Sequence, residues 1–343
     1  MDIRQIEQGR GGEIERAGQA ANAVAARYVF ADYQRRRAAH TLRRQRADLA
    51  LFERFLQEAA DLSVSDLFSR ADAWRGITWG LVQAFVNWQI GIGYAVGSIN
   101  IHLSTVKTYA RLAFRAGVID AGEHAPIRTV TGYTHRESQN LDALREVQGA
   151  RQRLGAKKAA PVRLSEDLIS ALKQGQPDTP QGRRDTLLLC LLLDHGLRCG
   201  EIALLRVEHI DLETHELRFF RPKVAKDQTH WLTPDTFRAA SRYLGLDALD
   251  AGLLLRASRK GGALSKAGMS TRAITLRVET LGLRLGVVGL SAHDGRHAWA
   301  TRAARSGTDP FALQEAGGWS SLAMPRRYVE AAQIANEGVM LRK

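Results

Sequence analysis

The chain has 343 residues, 45% of them hydrophobic and 25% charged, a balance that allows two ordinary domains with separate cores and excludes a disordered polymer. Its 49 Lys and Arg stand against 36 Asp and Glu, giving a formal charge of +13. That charge points to a polyanionic partner, nucleic acid before acidic membrane, although arginine-rich coding or solubility would produce the same number.

The opening segment, "MDIRQIEQGRGGEIERAGQ", carries acidic residues and lacks the apolar core of a secretory signal. Residues 1–27 read as a partly helical N-terminal extension. From Tyr28 the helical pattern strengthens, and residues 42–59 place Leu49, Leu51, Phe52, Phe55 and Leu56 on one broad face. Trp74 and Trp79 precede a second amphipathic segment, and a third is expected to run from an N-cap at Ser98 to Gly117. Residues 28–133 are therefore expected to form an all-α domain, with Lys107, Arg111 and Arg115 on its basic faces.

Residues 134–164 are polar and cationic with few large apolar side chains, as in a solvated basic linker. Ser165, followed by Glu166 and Asp167, is a good N-cap for the helix that opens a second domain, 165–343. Its longest aliphatic run, "TLLLCLLL" at 186–193, is less than half the ~20 residues that span a bilayer, so it reads as a buried helix. Cys190 and Cys199 lack metal-site spacing and read as reduced thiols of a cytoplasmic protein with no membrane partner. "ELRFF" (216–220) and "THWLT" (229–233) read as a short hairpin around a basic loop holding Lys223 and Lys226, and the chain is then helical again. The expected fold is mainly α, an all-α domain followed by a mostly α domain with a small antiparallel sheet.

Four local signals in the second domain carry chemistry. Arg198 lies at a Gly-marked helix junction with Glu201 three residues on, on one helical face, a spacing that an ordinary ion pair also explains. In "HDGRHAWAT", His293 and Arg296 at i, i+3 can converge on one anion. Metal binding is the rival, because His293 and His297 are at i, i+4. Against zinc, Asp294 replaces the glutamate of the His-Glu-x-x-His helix and no third ligand is evident. The third signal is the basic loop with its two lysines. The fourth is "GGWSSLAMPRRYVE", in which Trp319 stands nine positions before Tyr328.

Two arginines, a histidine, a lysine and a tyrosine fit phosphoryl transfer to a tyrosine. Guanidiniums stabilise the charge on the non-bridging oxygens, and their planar fork holds two oxygens at once. A tyrosine can act as covalent nucleophile, with nearby positive charge expected to favour its phenolate, and a lysine can protonate the leaving oxygen. No magnesium carboxylate cluster and no Walker-type loop is evident, so no metal, nucleotide or other cofactor is expected.

In order and spacing these residues resemble the tyrosine recombinases, or phage-type integrases. Their first box resembles "HGLRCGEIALL", with Arg198 as first arginine and Glu201 as supporting acid; the second resembles "HDGRHAWAT", with His293 and Arg296. The third resembles "GGWSSLAMPRRY", with Trp319 in the His/Trp position and Tyr328 as nucleophile. Three ordered boxes over about 130 residues are far more specific than any one of them. Gly295 departs from the leucine common at that place and is expected to loosen the helix presenting His293 and Arg296. Lys226, eight residues before Pro234, matches the family's lysine better than Lys223 does, though both remain candidates.

The resemblance implies that 28–133 is a core DNA-binding domain and 165–343 a catalytic domain, in a simple two-domain protein of the Cre or Xer type. It implies site-specific recombination through a 3′-phosphotyrosyl link and a Holliday junction. In this scheme Arg198 and Arg296 clamp the phosphate, His293 assists, Trp319 packs near it, Lys226 protonates the leaving oxygen and Glu201 orients the site. It further implies a homo-tetramer on two double-stranded DNA sites, nucleoid-associated, with room for accessory DNA-bending proteins. The rivals are a type IB topoisomerase-like activity and a non-catalytic DNA-binding protein.

Overall fold

A computed structural model describes residues 3–147, 149, 161–247, 249–259 and 261–332, with backbone alone at 3–11, 60, 135 and 331–332. The chain divides into two compact units, Met1–Lys157 and Lys158–Lys343. None of the described helices is long and apolar enough to cross a membrane.

The first unit holds six described helices: α1 (Ile3–Arg35), α2 (Ala39–Ala60), α3 (Trp79–Gly91), α4 (Val96–Arg115), α5 (Ala121–Thr129) and α6 (His135–Val147). Helix α1 passes residue 27 without a break, because its Ala-, Gln- and Glu-rich stretch has the propensity to stay helical. Leu49, Phe52, Phe55 and Leu56 of α2 are buried and meet Phe85 of α3, with ring centroids 4.9 Å from Phe52 and 5.5 Å from Phe55. Trp74 is fully buried and donates its indole N–H to Leu67 O at 2.9 Å. Helix α4 begins at Val96 rather than Ser98, since Val96 and Ile99 already belong to its buried stripe. Much of the expected linker is helix α6. Its buried Arg145 donates to Ile90 O, in the last turn of α3, at 2.8 Å and to Tyr94 O, just beyond it, at 3.2 Å. Residues 148 and 150–160 of the expected linker, and the tail from 333, lie outside the described residues.

The second unit opens on α7 (Glu166–Gln174), where Ser165 Oγ accepts from Leu168 N at 3.2 Å as its N-cap. Helix α8 (Pro180–Leu193) carries the aliphatic run, and Leu187 through Leu193 are all buried. A short helix, α9 (Cys199–Ile202), leads to a three-stranded antiparallel sheet of β1 (Ile210–Asp211), β2 (Glu216–Arg221) and β3 (Lys226–Trp231) in that order. The hairpin turn is tighter than the expected loop. Arg221 pairs with Lys226 across it, so Lys226 begins a strand while Lys223 sits in the turn. Helix α10 (Pro234–Leu246) packs on α8, and a second hairpin follows, β4 (Arg256–Ser258) with β5 (Leu264–Gly268), too short for periodicity to reveal.

The unit closes with α11 (Thr271–Leu283), α12 (Ala292–Arg305), α13 (Pro310–Gly317) and α14 (Ala323–Ala332). Gly295 does not interrupt α12. It lies where the helix presses on α8, and a Cβ there would stand 3.2 Å from Leu192 Cβ. The glycine therefore permits close packing instead of loosening the helix. His195 is buried against the partly buried His230 of β3: its Nε2 lies 3.0 Å from Thr236 Oγ1, and its ring stacks on His230 at 5.7 Å. Burial pushes His195 down to about 4, helped by Lys173, and His230 down to about 3, helped by His195 and Arg221 with Glu201 opposing.

Two outcomes follow from this packing. Gly295→Leu should overpack the α12–α8 contact at about 1–3 kcal/mol and lower the thermal midpoint by several degrees; a midpoint unchanged or raised in thermal unfolding would contradict the close approach. In an unfolded chain both imidazoles titrate near ~6.5, so as pH falls below that value the unfolded state takes up protons first. Stability present above ~6.5 is then lost progressively toward the folded values of about 4 and 3. Thermal midpoints measured from pH 7 to 5 should fall less steeply in His230→Phe than in the unaltered chain, and equal slopes would rule out this source of acid sensitivity.

Candidate active site

The site is assembled at the C-terminus of α13. An α-helix leaves its last carbonyls without intrahelical partners, and their dipoles favour cations. Here consecutive carbonyls are taken by side chains from other elements. Gln228 on β3 donates to Glu315 O at 2.5 Å, and Arg221 on β2 to Ala316 O at 2.6 Å. Arg296 on α12 donates to Gly317 O, and Arg198, ahead of α9, to Gly318 O at 3.3 Å. Gly318 adopts φ +58, which ends the helix in the left-handed region, and a Cβ there would lie 2.4 Å from Arg221 Cδ. A Cβ on Gly317 would lie 2.0 Å from the Trp319 ring. Both glycines of "GGW" are thus fixed by sterics.

Glu201 is the one carboxylate hydrogen-bonded within this cluster among the described residues. It accepts from the Arg198 guanidinium at 2.7 Å and, at the start of α9, from the Arg198 backbone N–H at 2.8 Å. Its other contact is Arg221 Nη1, also at 2.7 Å. Arg221 is fully buried, and burial pushes it down while Glu201 supports its charge. Arg296, also buried, has carbonyl partners, Gly196 O and Gly317 O, and stacks over Trp319 at 4.5 Å. Burial, with the charges of Arg198 and Arg221, pushes Arg296 down to about 9, so it is still cationic at neutral pH. Three guanidiniums share one carboxylate, and an incoming anion would relieve that excess.

Tyr328 projects from α14 into a small cluster with Ala300, Ala304 and Leu313, against Trp319 at 5.7 Å. It is only 8% exposed. Burial raises its phenol above the ordinary value, and the opposing charges of Arg296 and Arg327 do not overcome this. The expectation that nearby cations favour the phenolate is therefore corrected: the resting hydroxyl is neutral. It lies 2.6 Å from His297 Nδ1.

His293 stands exposed in the first turn of α12, its ring edge-on to His297 at 4.5 Å. Partial burial, followed by His297 and Arg296, holds it below the ordinary imidazole range. Asp294 does not act as the expected rival's metal-helix acid. Its carboxylate accepts from Ser291 N and Oγ, both at 2.7 Å, capping α12, and from Val162 N at 3.0 Å. Lys226 lies at the edge, half-exposed and ion-paired with Glu315, while Lys223 is exposed in the turn.

Arg198, Glu201, His293, Arg296, Trp319 and Tyr328 are thus brought together, with Lys226 tied to the same helix end. Arg221, Gln228 and His297 were not picked out as site residues from sequence. Arg221 and Gln228 bracket the basic loop, but only the hairpin register and the distant α13 reveal their task. His297 has a signal, its place directly after Arg296, but its i, i+4 spacing from His293 suggests only a metal ligand.

The family model "Phage integrase family" matches residues 163–334, half of the chain. Tyrosine recombinase XerC of Actinobacillus succinogenes is 31% identical over 181 residues, covering 50% of this chain and 57% of that protein. Tyrosine recombinase XerD of Neisseria meningitidis serogroup B is 29% identical over 53% of this chain and 63% of its own length, so the match spans less than two thirds of either relative. XerC of Xanthomonas axonopodis pv. citri is 25% identical over 88% of this chain and 89% of that protein. Among solved structures, a lambda integrase dimer bound to a COC′ core site shares the fold at TM-score 0.60 and 16% identity, covering 92% of this chain and 96% of that one. The Tn1549 transposon integrase with transposon right-end DNA does so at TM-score 0.59 and 14% identity, covering 88% and 94%. With the fold and the family model in agreement, the chain belongs to the phage integrase family of tyrosine recombinases.

Proposed function

We propose that this chain is a site-specific DNA recombinase that cleaves and rejoins strands through a covalent phosphotyrosine. The observation that carries it is the seating of the Tyr328 phenol beside a guanidinium cluster that has one carboxylate for three cations. A phosphodiester entering there supplies the missing negative charge, and the preorganised guanidiniums stabilise the charge that develops on its oxygens. Tyr328 attacks phosphorus and forms a 3′-phosphotyrosyl link, releasing a 5′-hydroxyl. Arg198 and Arg296 clamp the non-bridging oxygens, Glu201 and the buried Arg221 hold Arg198 in place, and His293 assists from the rim. Trp319 packs between Arg296 and Tyr328 and fixes their separation.

Lys226 is the better candidate to protonate the leaving 5′ oxygen, since it stands on the rigid strand while Lys223 sits in the turn. Its ion pair with Glu315 is exposed and so weak enough to exchange for a phosphate. The bond energy is kept in the phosphotyrosine, so rejoining needs no ATP. Double-stranded recombination sites are the DNA partner, bound by the helical Met1–Lys157 unit together with the catalytic unit. A homo-tetramer exchanging strands in pairs through a Holliday junction completes the scheme.

The test uses nicked duplexes tiled from the DNA flanking the gene, which trap the covalent product because the nicked fragment is lost. The unaltered chain should form a covalent adduct. Tyr328→Phe should bind the same DNA with equal affinity, yet lower adduct formation by at least about 10³-fold. An adduct that survives the change would overturn the nucleophile. Relaxation of supercoils without a site requirement would instead favour a topoisomerase, and salt-steep binding with no adduct a non-catalytic protein.

A further inference from the structure

We propose that His297 is the general base of strand cleavage, taking the phenolic proton of Tyr328 as the tyrosine attacks. This rests on the reading of Tyr328 as nucleophile given above. The geometry is direct: His297 Nδ1 is 2.6 Å from the Tyr328 hydroxyl, within the reach a proton acceptor needs. The phenol is buried among Ala300, Ala304, Leu313 and Trp319, so its proton must pass to a side chain already in contact with it. His297 follows Arg296 directly on α12, and the helix that fixes the phosphate clamp therefore fixes the base as well.

The step balances as follows. The Tyr328 oxygen bonds to phosphorus, the bond from phosphorus to the 5′ oxygen breaks, and the phenolic proton moves to His297 Nδ1. The leaving 5′ oxygen takes its proton from a separate acid, Lys226 in the reading above. On rejoining, the 5′-hydroxyl gives its proton back to that acid and bonds to phosphorus, the bond from phosphorus to the Tyr328 oxygen breaks, and His297 returns the proton to the phenol oxygen. Nδ1 must therefore be the unprotonated nitrogen at rest, with the hydrogen on Nε2.

Among the described residues, the charged and titratable groups near this pair include His293 and Arg296 on α12 and Arg327 on α14. Burial keeps the phenol protonated in the DNA-free chain. His293 keeps its place at the rim of the phosphate site without having to reach the phenol.

Two measurements test this. In the DNA-free full-length chain, ¹⁵N spectra of the histidines, with His297→Asn used for assignment, should show Nδ1 unprotonated and Nε2 protonated at neutral pH; a protonated Nδ1 overturns the proposal without any DNA. In the second, adduct formation on the nicked duplexes is followed across pH. Asn places an amide near the Nδ1 position, so it can hydrogen-bond the phenol but cannot hold a second proton. His297→Asn should cut the adduct rate at least about 100-fold and abolish its rise with pH, with DNA affinity unchanged. A wild-type rate and pH profile in His297→Asn would reduce His297 to packing while leaving Tyr328 as the nucleophile. Absence of adduct from the unaltered chain would remove the step itself, and with it the reading of Tyr328.

Discussion

The end of one short helix organises the second unit. The carbonyls of residues 315–318, at and just beyond the end of α13, face inward, and each is taken by a side chain from a different place: Gln228, Arg221, Arg296 and Arg198. A helix terminus buried without partners costs free energy at every orphan carbonyl. Buried guanidiniums left without acceptors cost several kcal/mol each. The two problems solve each other here, which explains why segments over a hundred residues apart converge. Gly317 and Gly318 are required because the Trp319 ring and the Arg221 side chain occupy the space a Cβ would take.

Function grows out of the same arrangement. Carbonyl dipoles can satisfy the hydrogen bonds of a guanidinium without neutralising its charge. Glu201 compensates part of the cluster, yet Arg296 remains buried and cationic, hydrogen-bonded to carbonyls and stacked on Trp319. A site prepared in this way favours a phosphate over a neutral ligand and needs little rearrangement when it arrives. The tyrosine is set oppositely: it sits in an apolar cluster that keeps its hydroxyl protonated, with the His297 imidazole 2.6 Å away.

Much of this was legible in the sequence, and the boundary has physical causes. The Arg198–Glu201 pair is a local i, i+3 contact, Ser165 is a local cap, and Arg296 and Tyr328 stand at motif spacings, so short-range reasoning reaches them. Arg221 carries no local signal, because its burial depends on the hairpin register and on α13, about ninety residues away. Gly295 read as a helix weakness since its neighbour Leu192 belongs to another helix. Charge counting favoured a phenolate at Tyr328, but burial, which no count of neighbouring cations contains, decides the direction. Most of α6 lies in the stretch read as a solvated linker, where one buried arginine outweighs a polar composition.

The central claim is that DNA becomes attached to Tyr328 and to no other side chain. Its most direct measurement is mass spectrometry of the adduct trapped on a nicked duplex, after protease and nuclease digestion. A nucleotide mass placed by fragmentation on Tyr328 is the expected result. The same mass on any other residue, on Tyr243 or a serine for example, would contradict the account.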